Sequence, residues 1–323
     1  MGSESIPPGR DNHSMLRVDR IDRLPDNFGE FVGEIAEGLG GLYGEAAATQ
    51  YRELADRAVL ATIEQPRVDA IVARSGGEAA GMLFAPCQGT TGQISFIHVL
   101  RRYAGQGVEQ GLVQESVRTL RAAGVDAVVS ECIPFCALEV DATYRELGFD
   151  HVERALMAAP LDAPGLNQPG DPNSRPVTET RYAEAAAVIV DAYRGHPGRR
   201  LHTEVLSETD AADFLERVAQ GYLGAFDPGY VRVVEMEGRA LGVVVGCQIA
   251  PEHGFVLQVA VCRDHQRRGL GTRLINDLAR EFRAAGLSHV ALGVTVASPA
   301  LRLYERLGFV LLRPVDTYVW WRP

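Results

Sequence analysis

Residues 266–272 read Gln266-Arg267-Arg268-Gly269-Leu270-Gly271-Thr272. An apolar run at 255–261 precedes them and an amphipathic stretch at 273–285 follows, which predicts a strand, a turn and a helix. Glycines let the backbone turn tightly and approach a ligand, and the free N–H groups at the start of a helix attract anions. Two arginines add positive charge beside the turn. The stretch therefore predicts a cradle for a pyrophosphate group.

A second motif follows one predicted strand later. The apolar run 290–294 leads into residues 298–309, which read Ser298-Pro299-Ala300-Leu301-Arg302-Leu303-Tyr304-Glu305-Arg306-Leu307-Gly308-Phe309. The two motifs in this order resemble the GNAT superfamily of acetyl-CoA-dependent N-acyltransferases. The resemblance implies that Tyr304 faces the thioester sulfur. It also implies that the CoA pyrophosphate is held by one segment, made of Gln266, Arg267, Arg268, Gly269, Leu270, Gly271 and Thr272.

In this family the strand before the cradle opens like a wedge, and its backbone pairs with the pantetheine amides. By position these roles fall on Val259, Ala260 and Val261, where a backbone N–H would meet the oxyanion. Two features depart from the family pattern. Leu257 and Gln258 stand where many members have an acidic residue serving as base, and Ala297 stands where many have asparagine. The identity of the base is therefore open.

The first half carries a weaker copy of both motifs. Residues 102–107 read Arg102-Tyr103-Ala104-Gly105-Gln106-Gly107, and residues 144–149 read Tyr144-Arg145-Glu146-Leu147-Gly148-Phe149. Two landmarks in the same order indicate an internal duplication, although 39 residues separate Gly105 from Tyr144 and 35 separate Gly269 from Tyr304. The first copy has fewer positive charges, and Glu109 replaces Arg273. We therefore expect a degenerate copy that shapes the acceptor site or the interface.

The stretch 162–176 separates the copies. It is rich in Pro, Gly and Asn, a composition that disfavours helix and strand and suits a linker. A chain of 323 residues also exceeds what one core usually covers. We expect an N-terminal degenerate GNAT-like domain at 14–161, a linker at 162–176 and a C-terminal acetyltransferase domain at 177–323. The resemblance implies an α/β fold in which each domain has a central mixed, mostly antiparallel sheet flanked by helices.

Local signals in the second half fit this order of elements. Helices are predicted at 179–193 and 211–222, and Ser207 to Asp210 resembles a capping box before the second. Strands are predicted at 230–236, 240–249, 255–262 and 310–321. The cradle helix has one apolar stripe, predicted to be core, which consists of Leu274, Ile275, Leu278, Ala279 and Phe282.

Composition excludes several classes of function. The formal net charge of -10 opposes binding to a nucleic-acid backbone, and no run of about 18 apolar residues indicates a membrane-spanning helix. The N-terminus lacks a secretory pattern, so we expect a cytoplasmic monomer or homodimer without nucleic-acid or membrane partners. Cys132 and Cys136 lack two further ligands at zinc-site spacing. We therefore assign no metal and expect buried, reduced cysteines.

Acyl transfer to an amine needs both a base and an acid. A lysine-like amine, with a pKa of about 10.4, costs about 4.6 kcal/mol to neutralise at pH 7. The leaving thiolate benefits from a proton donor, and a tyrosine such as Tyr304 keeps its proton at neutral pH. Packing on a helix face is the alternative for Tyr304. Candidate bases are Glu235, Glu252 and His253, although each is also typical of a solvated polar residue.

The segment 194–202 joins the two predicted helices, and in this family that loop usually lines the acceptor pocket. Its arginines, among them Arg199 and Arg200, suit a carboxylate or phosphate on the acceptor, or are simply solvated. We predict an N-acyltransferase that uses acetyl-CoA as co-substrate and moves the acetyl group, by direct attack, to a primary amine of a small molecule or peptide. The alternative is a noncatalytic acyl-CoA-binding or regulatory protein, which the missing strand carboxylate and Ala297 favour.

Overall fold

The computed structural model describes residues 16–65, 67–131 and 138–323, without the side chains of Gln88, Pro197 and Arg200. The first half contains, in chain order, β1 (Arg17–Arg20), α1 (Phe28–Tyr43), α2 (Glu45–Ile63), β2 (Val68–Ser75), β3 (Glu78–Gln88), β4 (Thr91–Ile94), β5 (Phe96–Val99), α3 (Val108–Ala122), β6 (Ala127–Glu131), α4 (Asp141–Glu146) and β7 (Asp150–Pro160). The second half contains β8 (Ser174–Pro176), α5 (Tyr182–Tyr193), α6 (Glu208–Ala219), β9 (Val231–Met236), β10 (Arg239–Ala250), β11 (His253–Val261), α7 (Leu270–Ala284), β12 (His289–Thr295), α8 (Ala300–Leu307) and β13 (Val310–Trp321).

The thirteen strands of the described residues belong to one continuous sheet. Their order is β1-β2-β3-β4-β6-β13-β7-β12-β11-β10-β9-β8, and β5 pairs with β3 off this path. Two neighbouring pairs are parallel, β4 with β6 and β11 with β12, and the other pairs are antiparallel. Each half thus repeats one mixed, mostly antiparallel pattern, which confirms the predicted fold class.

The two halves exchange their last strands. The C-terminal strand β13 pairs with β6 of the first half, where Thr317 lies opposite Glu131. The last strand of the first half, β7, pairs with β12 of the second half, where Ala158 lies opposite Ala291. β13 and β7 also pair with each other at the centre of the sheet. Side chains of both halves therefore reach the same region of the sheet.

The cradle helix α7 lies across β9, β10 and β11 because its apolar stripe is buried against them. All five predicted stripe residues are core, as expected. Glycine in the strands allows the close approach, since a Cβ on Gly254 would lie 2.5 Å from the ring of Phe282. This packing fixes the start of α7, and with it the cradle, relative to the end of β11.

The capping box is confirmed, because the Ser207 Oγ accepts a hydrogen bond from the Asp210 N–H at 3.1 Å and α6 begins at Glu208. The segment 162–176 differs from the expectation of a stretch without regular structure. Its residues 174–176 form β8, which pairs with β9 and is the last strand at this edge of the sheet. The segment also binds to α7, where the Asn276 Oδ1 accepts from the Gln168 N–H at 2.9 Å. Backbone pairing and polar anchors thus order a segment of unfavourable composition.

The structure shifts the alignment of the two cradle motifs by two residues: Gly107, and not Gly105, is the counterpart of Gly269. Gly107 and Gly269 each precede their helix directly, and both have a φ of 82°. Gly105, which we had aligned with Gly269, corresponds instead to Arg267, and both have positive φ, 71° and 60°. The proposed alignment of Gly105 with Gly269 is therefore wrong. Both glycines of the first copy satisfy the spacing pattern, and only the backbone shows which one opens the helix.

Among the described residues, no helix combines the length and the apolar character needed to cross a bilayer. Cys247 and Cys262 are free and buried, as predicted, and Cys87 is half-buried. Cys132 and Cys136 lie outside the described residues.

Candidate active site

The predicted cradle lies in the turn between β11 and α7. Gly269 has a left-handed backbone, which a residue without Cβ adopts with least strain. A Cβ on Gly271 would meet only the Leu303 Cδ2, at 3.9 Å, so the space above the first turn of α7 is open. The backbone N–H groups of residues 270–272 lie in that turn, where a helix leaves them without intrahelical partners. The open space and the free donors fit a diphosphate.

Side chains of the same turn have separate tasks. Arg267 and Arg268 are exposed and form no ion pair with a described residue. Gln266 instead turns back toward the strand, and its Nε2 donates to the Val261 carbonyl at 3.0 Å. Gln266 therefore shapes the turn, while the two arginines supply its positive charge.

Strand β11 separates from β12 halfway along its length. The parallel pairing runs from His253 opposite His289 to Val256 opposite Leu292 and ends there. A bulge follows in β11. Val245 of β10 lies opposite Gln258 and its neighbour Gly246 lies opposite Val256, which leaves Leu257 without a partner on β10. Residues 258–261 continue to pair with β10 alone. β11 and β12 therefore form the wedge that the family resemblance implies.

The three residues assigned to the wedge differ in their surroundings. The Val259 N–H donates to the Oε1 of Gln258 at 3.0 Å, and the Val261 carbonyl accepts from Gln266. Ala260 is buried in the core that α5 and α6 form with the sheet. The backbone groups of Val259 and Val261 thus bond to side chains, which a ligand amide is able to replace.

Tyr304 lies on α8 and is 7% exposed. Its ring packs edge-on against Phe309, with 5.8 Å between centroids. Burial raises the pKa of the Tyr304 hydroxyl; the nearby Tyr193 raises it further, and Arg154 opposes the shift. The hydroxyl therefore keeps its proton throughout the neutral range, as a proton donor requires.

A cavity of about 1000 Å³ opens in front of Tyr304. The second half lines it with β11, with β12, with the start of α8 and with the segment from Tyr193 to Glu204. The first half contributes residues 93–96, the end of β6 and Arg154 to Leu156 of β7. This volume lies at the upper end of the range typical of small-molecule sites. The space for an acceptor is therefore built by both halves.

A chain of hydrogen bonds lines the cavity beside the wedge. The Tyr193 hydroxyl donates to the Gln258 Oε1 at 3.1 Å, and the Gln258 Nε2 donates to the Glu204 Oε1 at 3.2 Å. The His202 Nδ1 lies 3.2 Å from the same Glu204 oxygen. Burial alone raises the pKa of Glu204, but His202 and then Arg154 outweigh it and hold this pKa below the usual value. Glu204 is therefore ionised at neutral pH.

Arg154 brings a buried positive charge from the first half into the cavity. It is 6% exposed and pairs with Glu131 at the end of β6. Its guanidinium passes over β12, where a Cβ on Gly293 would lie 3.2 Å from the Nη2. The Nε is buried and has no hydrogen-bond partner among the described residues. Such a donor costs about 1–3 kcal/mol unless an acceptor atom reaches it.

The three base candidates of the sequence analysis lie away from the cavity. Glu235 is ion-paired with Arg175 and Arg181, whereas Glu252 accepts a hydrogen bond from a serine hydroxyl. The His253 ring stacks on a neighbouring histidine, His289. None of the three lines the cavity. Their proximity in sequence to the wedge misled the assignment, because strand residues next to a site can point to its other side.

The loop 194–202 lines the cavity, but not through Arg199, one of the two arginines that we predicted to bind the acceptor. Arg199 donates its Nη2 to the Leu206 carbonyl at 3.0 Å and does not line the cavity. The side chain of Arg200 lies outside the described residues. The loop residues that do reach the cavity are His196, Gly198, Leu201 and His202. Sequence reasoning missed His202 and Glu204 as a pair, and it missed Arg154, because no local pattern marks any of them.

Among the described residues of the first half, the corresponding groups bind to one another or to neighbouring side chains. Arg102, which the sequence analysis included in the first cradle, pairs with Glu30 and Glu78. The Tyr144 hydroxyl donates to the Ser130 Oγ at 2.7 Å, and its ring stacks on Tyr318 of β13 with 4.1 Å between centroids. Groups that would meet a cofactor are thus satisfied within the protein, which supports the prediction of a degenerate copy.

Comparison with known proteins agrees with this geometry. The model of the Acetyltransferase (GNAT) family matches residues 39–149 and 193–309, once in each half. The chain belongs to the GNAT family. It is therefore an acyltransferase with two tandem GNAT units, and the predicted family and enzyme class are confirmed. GNAT proteins generally use acetyl-CoA as acyl donor.

Relatives of this GNAT protein extend the comparison. The L-2,4-diaminobutyric acid acetyltransferase of Nocardia farcinica is 30% identical over 146 residues, which are 40% of this chain and 72% of the relative. The GCN5-related N-acetyltransferase of Sphaerobacter thermophilus has a TM-score of 0.64 at 17% identity, over 95% of this chain and 96% of that one. A tandem GNAT protein from the clavulanic acid biosynthesis pathway has a TM-score of 0.59 at 18% identity, over 95% and 99%. Both structures share the fold along nearly the whole chain.

Proposed function

We propose that this GNAT protein transfers the acetyl group of acetyl-CoA to a primary amine of a small molecule or peptide by direct attack. The observation that carries the proposal is that the open wedge of β11 and β12 and the buried, protonated Tyr304 line one cavity, while the open cradle lies in the turn after β11. In this assignment residues 266–272 hold the pyrophosphate. The backbone of residues 259–261 pairs with the pantetheine amides, and a backbone N–H there meets the oxyanion.

Tyr304 supplies the acid of the reaction. The thiolate that leaves the thioester has an ordinary pKa near 8.5, and a raised pKa on Tyr304 makes proton transfer to it uphill. The transfer is nonetheless useful, because the buried hydroxyl gives its proton as charge develops on the sulfur. The hydroxyl therefore contributes to the transition state more than to cofactor binding.

Arg154 indicates what kind of amine the cavity accepts. Arg154 lines the cavity, and its guanidinium is able to form a charge-assisted pair with an anionic group on the substrate. Glu131 and Glu204 supply negative charge for an ammonium group in the same cavity. An amino acid with a free amine carries both kinds of group. The N. farcinica relative is an acetyltransferase of L-2,4-diaminobutyric acid, whose charges have this character.

A panel of amines tests the proposal by thiol release from acetyl-CoA. We expect turnover with amino acids, and turnover reduced about ten- to a hundredfold for the corresponding decarboxylated amines, because a charge-assisted pair contributes about 1.5–3 kcal/mol. Arg154→Gln should remove this preference, whereas Arg199→Gln, which alters an arginine outside the cavity, should keep it. Binding of acetyl-CoA without turnover for any amine would favour the noncatalytic alternative. Equal ranking by the parent and Arg154→Gln would remove Arg154 from the acceptor site.

A further inference from the structure

His202 and Glu204 form a pair that no motif of the chain predicts. The His202 Nδ1 lies 3.2 Å from the Glu204 Oε1, and a carboxylate is only an acceptor, so the Nδ1 carries the proton. In the neutral imidazole the Nε2 then has a free lone pair. Gln258 donates to the same carboxylate from β11, at the strand position where the family often has its acidic residue. The pair is thus anchored directly to the wedge.

We infer that His202 is the general base of acetyl transfer and that Glu204 is a positioning residue that fixes its tautomer. This inference rests on the proposed function, and it names the group that removes the amine proton. Both residues line the cavity that Tyr304 faces. Many enzymes activate a weak nucleophile with a histidine base whose ring is oriented by a carboxylate.

The second histidine of the cavity has the opposite arrangement. The His196 Nδ1 accepts a hydrogen bond from the Gly198 N–H at 3.0 Å, so in the neutral ring its proton sits on the Nε2. That nitrogen has no lone pair to offer an ammonium. Burial lowers the pKa of His196, and the neighbouring His202 lowers it further. His196 is therefore a neutral donor, and it provides a matched control for His202.

Several charged or titratable groups face the pair from the surrounding elements. Tyr193 at the end of α5 and His196 in the following loop lie on one side. Arg217 of α6 and Arg154 of β7 interact with Glu204 from two others. His202 and then Arg154 hold the pKa of Glu204 below its usual value, so Glu204 continues to accept from His202 as the imidazole gains a second proton. This stabilises the imidazolium that forms during the reaction.

The protons and bonds balance as follows. The ammonium of the acceptor gives one proton to the Nε2 of His202, and the neutral nitrogen attacks the thioester carbonyl carbon. The C–N bond forms and the C–S bond breaks, and the Tyr304 hydroxyl protonates the sulfur. The proton that the new amide nitrogen loses restores Tyr304 through water, and His202 releases its proton to solvent. One amide, one thiol and one proton result.

The decisive measurement is the pH profile of kcat/KM for the acceptor in the parent, His202→Asn, Glu204→Gln and His196→Asn. Asparagine at 202 keeps a donor for Glu204 but has no basic nitrogen. We expect His202→Asn to lower kcat/KM about a hundredfold or more and to remove the acidic limb of the profile, which histidine ordinarily gives between about pH 5 and 8. Glu204→Gln should lower it at least about tenfold, because the tautomer is no longer fixed. His196→Asn should retain the acidic limb.

A readout without turnover accompanies the kinetics. In nitrogen-detected NMR of the parent, His202 should have its proton on Nδ1 and His196 on Nε2 when both rings are neutral, and Glu204→Gln should mix the His202 tautomers. An unchanged pH profile in His202→Asn, or a proton on Nε2 of His202, would overturn the inference and leave the proposed function intact. Failure of the parent with every amine would instead overturn the proposed function, and this inference with it.

Discussion

The two tyrosines of the duplicated motif show how one residue type acquires two different tasks. Tyr144 donates its hydroxyl to Ser130 and stacks on Tyr318, which the exchanged strand β13 brings into the first half. Tyr304 instead faces an open cavity. The surroundings, and not the motif, therefore decide which hydroxyl is available to a substrate.

We expect Tyr304→Phe to lower kcat about ten- to a thousandfold and to leave the KM for acetyl-CoA nearly unchanged. The hydroxyl donates only as the thiolate forms, so its loss affects the transition state. Tyr144→Phe is the matched control: it removes one buried hydrogen bond, which should cost about 1 kcal/mol of stability and leave kcat alone. Steady-state kinetics and thermal melts of both variants test this. Equal turnover by Tyr304→Phe and the parent would make Tyr304 a packing residue.

At the scale of elements, α3 and α7 are equivalent helices of the two copies, but only α7 has open space for an anion beside its first turn. Each begins after a left-handed glycine. Two residues later α7 has Gly271 beside open space, whereas α3 has Glu109, which is 1% exposed. Neither carboxylate oxygen of Glu109 has a hydrogen-bond partner among the described residues. The Glu109 side chain thus occupies the first turn of α3 at the position where α7 has a glycine and open space, so the two helices differ in the room that they leave for an anion.

This comparison predicts the effect of moving the residue of one copy into the other. Gly271→Glu should weaken acetyl-CoA binding at least about a hundredfold, because it places a side chain and a negative charge where the diphosphate lies. Glu109→Gln, in the helix without a proposed ligand, should leave the dissociation constant unchanged. Calorimetric titration of both variants with acetyl-CoA measures the difference. Binding by Gly271→Glu within twofold of the parent would place the pyrophosphate elsewhere.

Local signals were sufficient for most elements of the second half, although not for β8. Apolar periodicity placed α7 and β11, and a serine cap placed α6, because these features depend on residues a few positions apart. The alignment of the copies was wrong because Gly105 and Gly107 both fit the spacing of the motif. The φ angles that distinguish them arise from the fold around the turn.

The residues that we propose as base and as acceptor contact depend on interactions that sequence spacing does not contain. The lack of an acidic residue at Leu257 and Gln258 was visible in the sequence, but its replacement was not. Glu204 meets Gln258 from a loop 54 residues earlier. Arg154 arrives from the other half of the chain. Chemistry carried by local motifs is readable from one sequence, whereas chemistry assembled across the fold requires the structure.

At the scale of the whole molecule, the halves are joined by more than the segment 162–176. Strand β7 lies between β12 and β13, and so belongs to the sheet of the second half. The runs 150–160 and 310–321 each contain an apolar stretch and are of similar length, and nothing in either sequence specifies that they exchange places. The boundary near 162 stays a prediction about the duplication, while the sheet is continuous across it.

This exchange predicts how separated halves behave. A chain of residues 162–323 lacks β7, so it exposes one edge of β12 and both edges of β13, and it also lacks Arg154. Unpaired edges promote aggregation, and the acceptor site loses a buried charge. We expect this chain to be poorly soluble and its turnover to fall at least about a hundredfold.

A chain of residues 150–323 restores the β12-β7-β13 order and is the matched control, because it adds only the exchanged strand. Comparing soluble yield, melting temperature and thiol release for the two chains separates the strand's contribution from that of the remaining first half. Parental kcat in the 162–323 chain would show that the second half closes its own sheet and that Arg154 is dispensable.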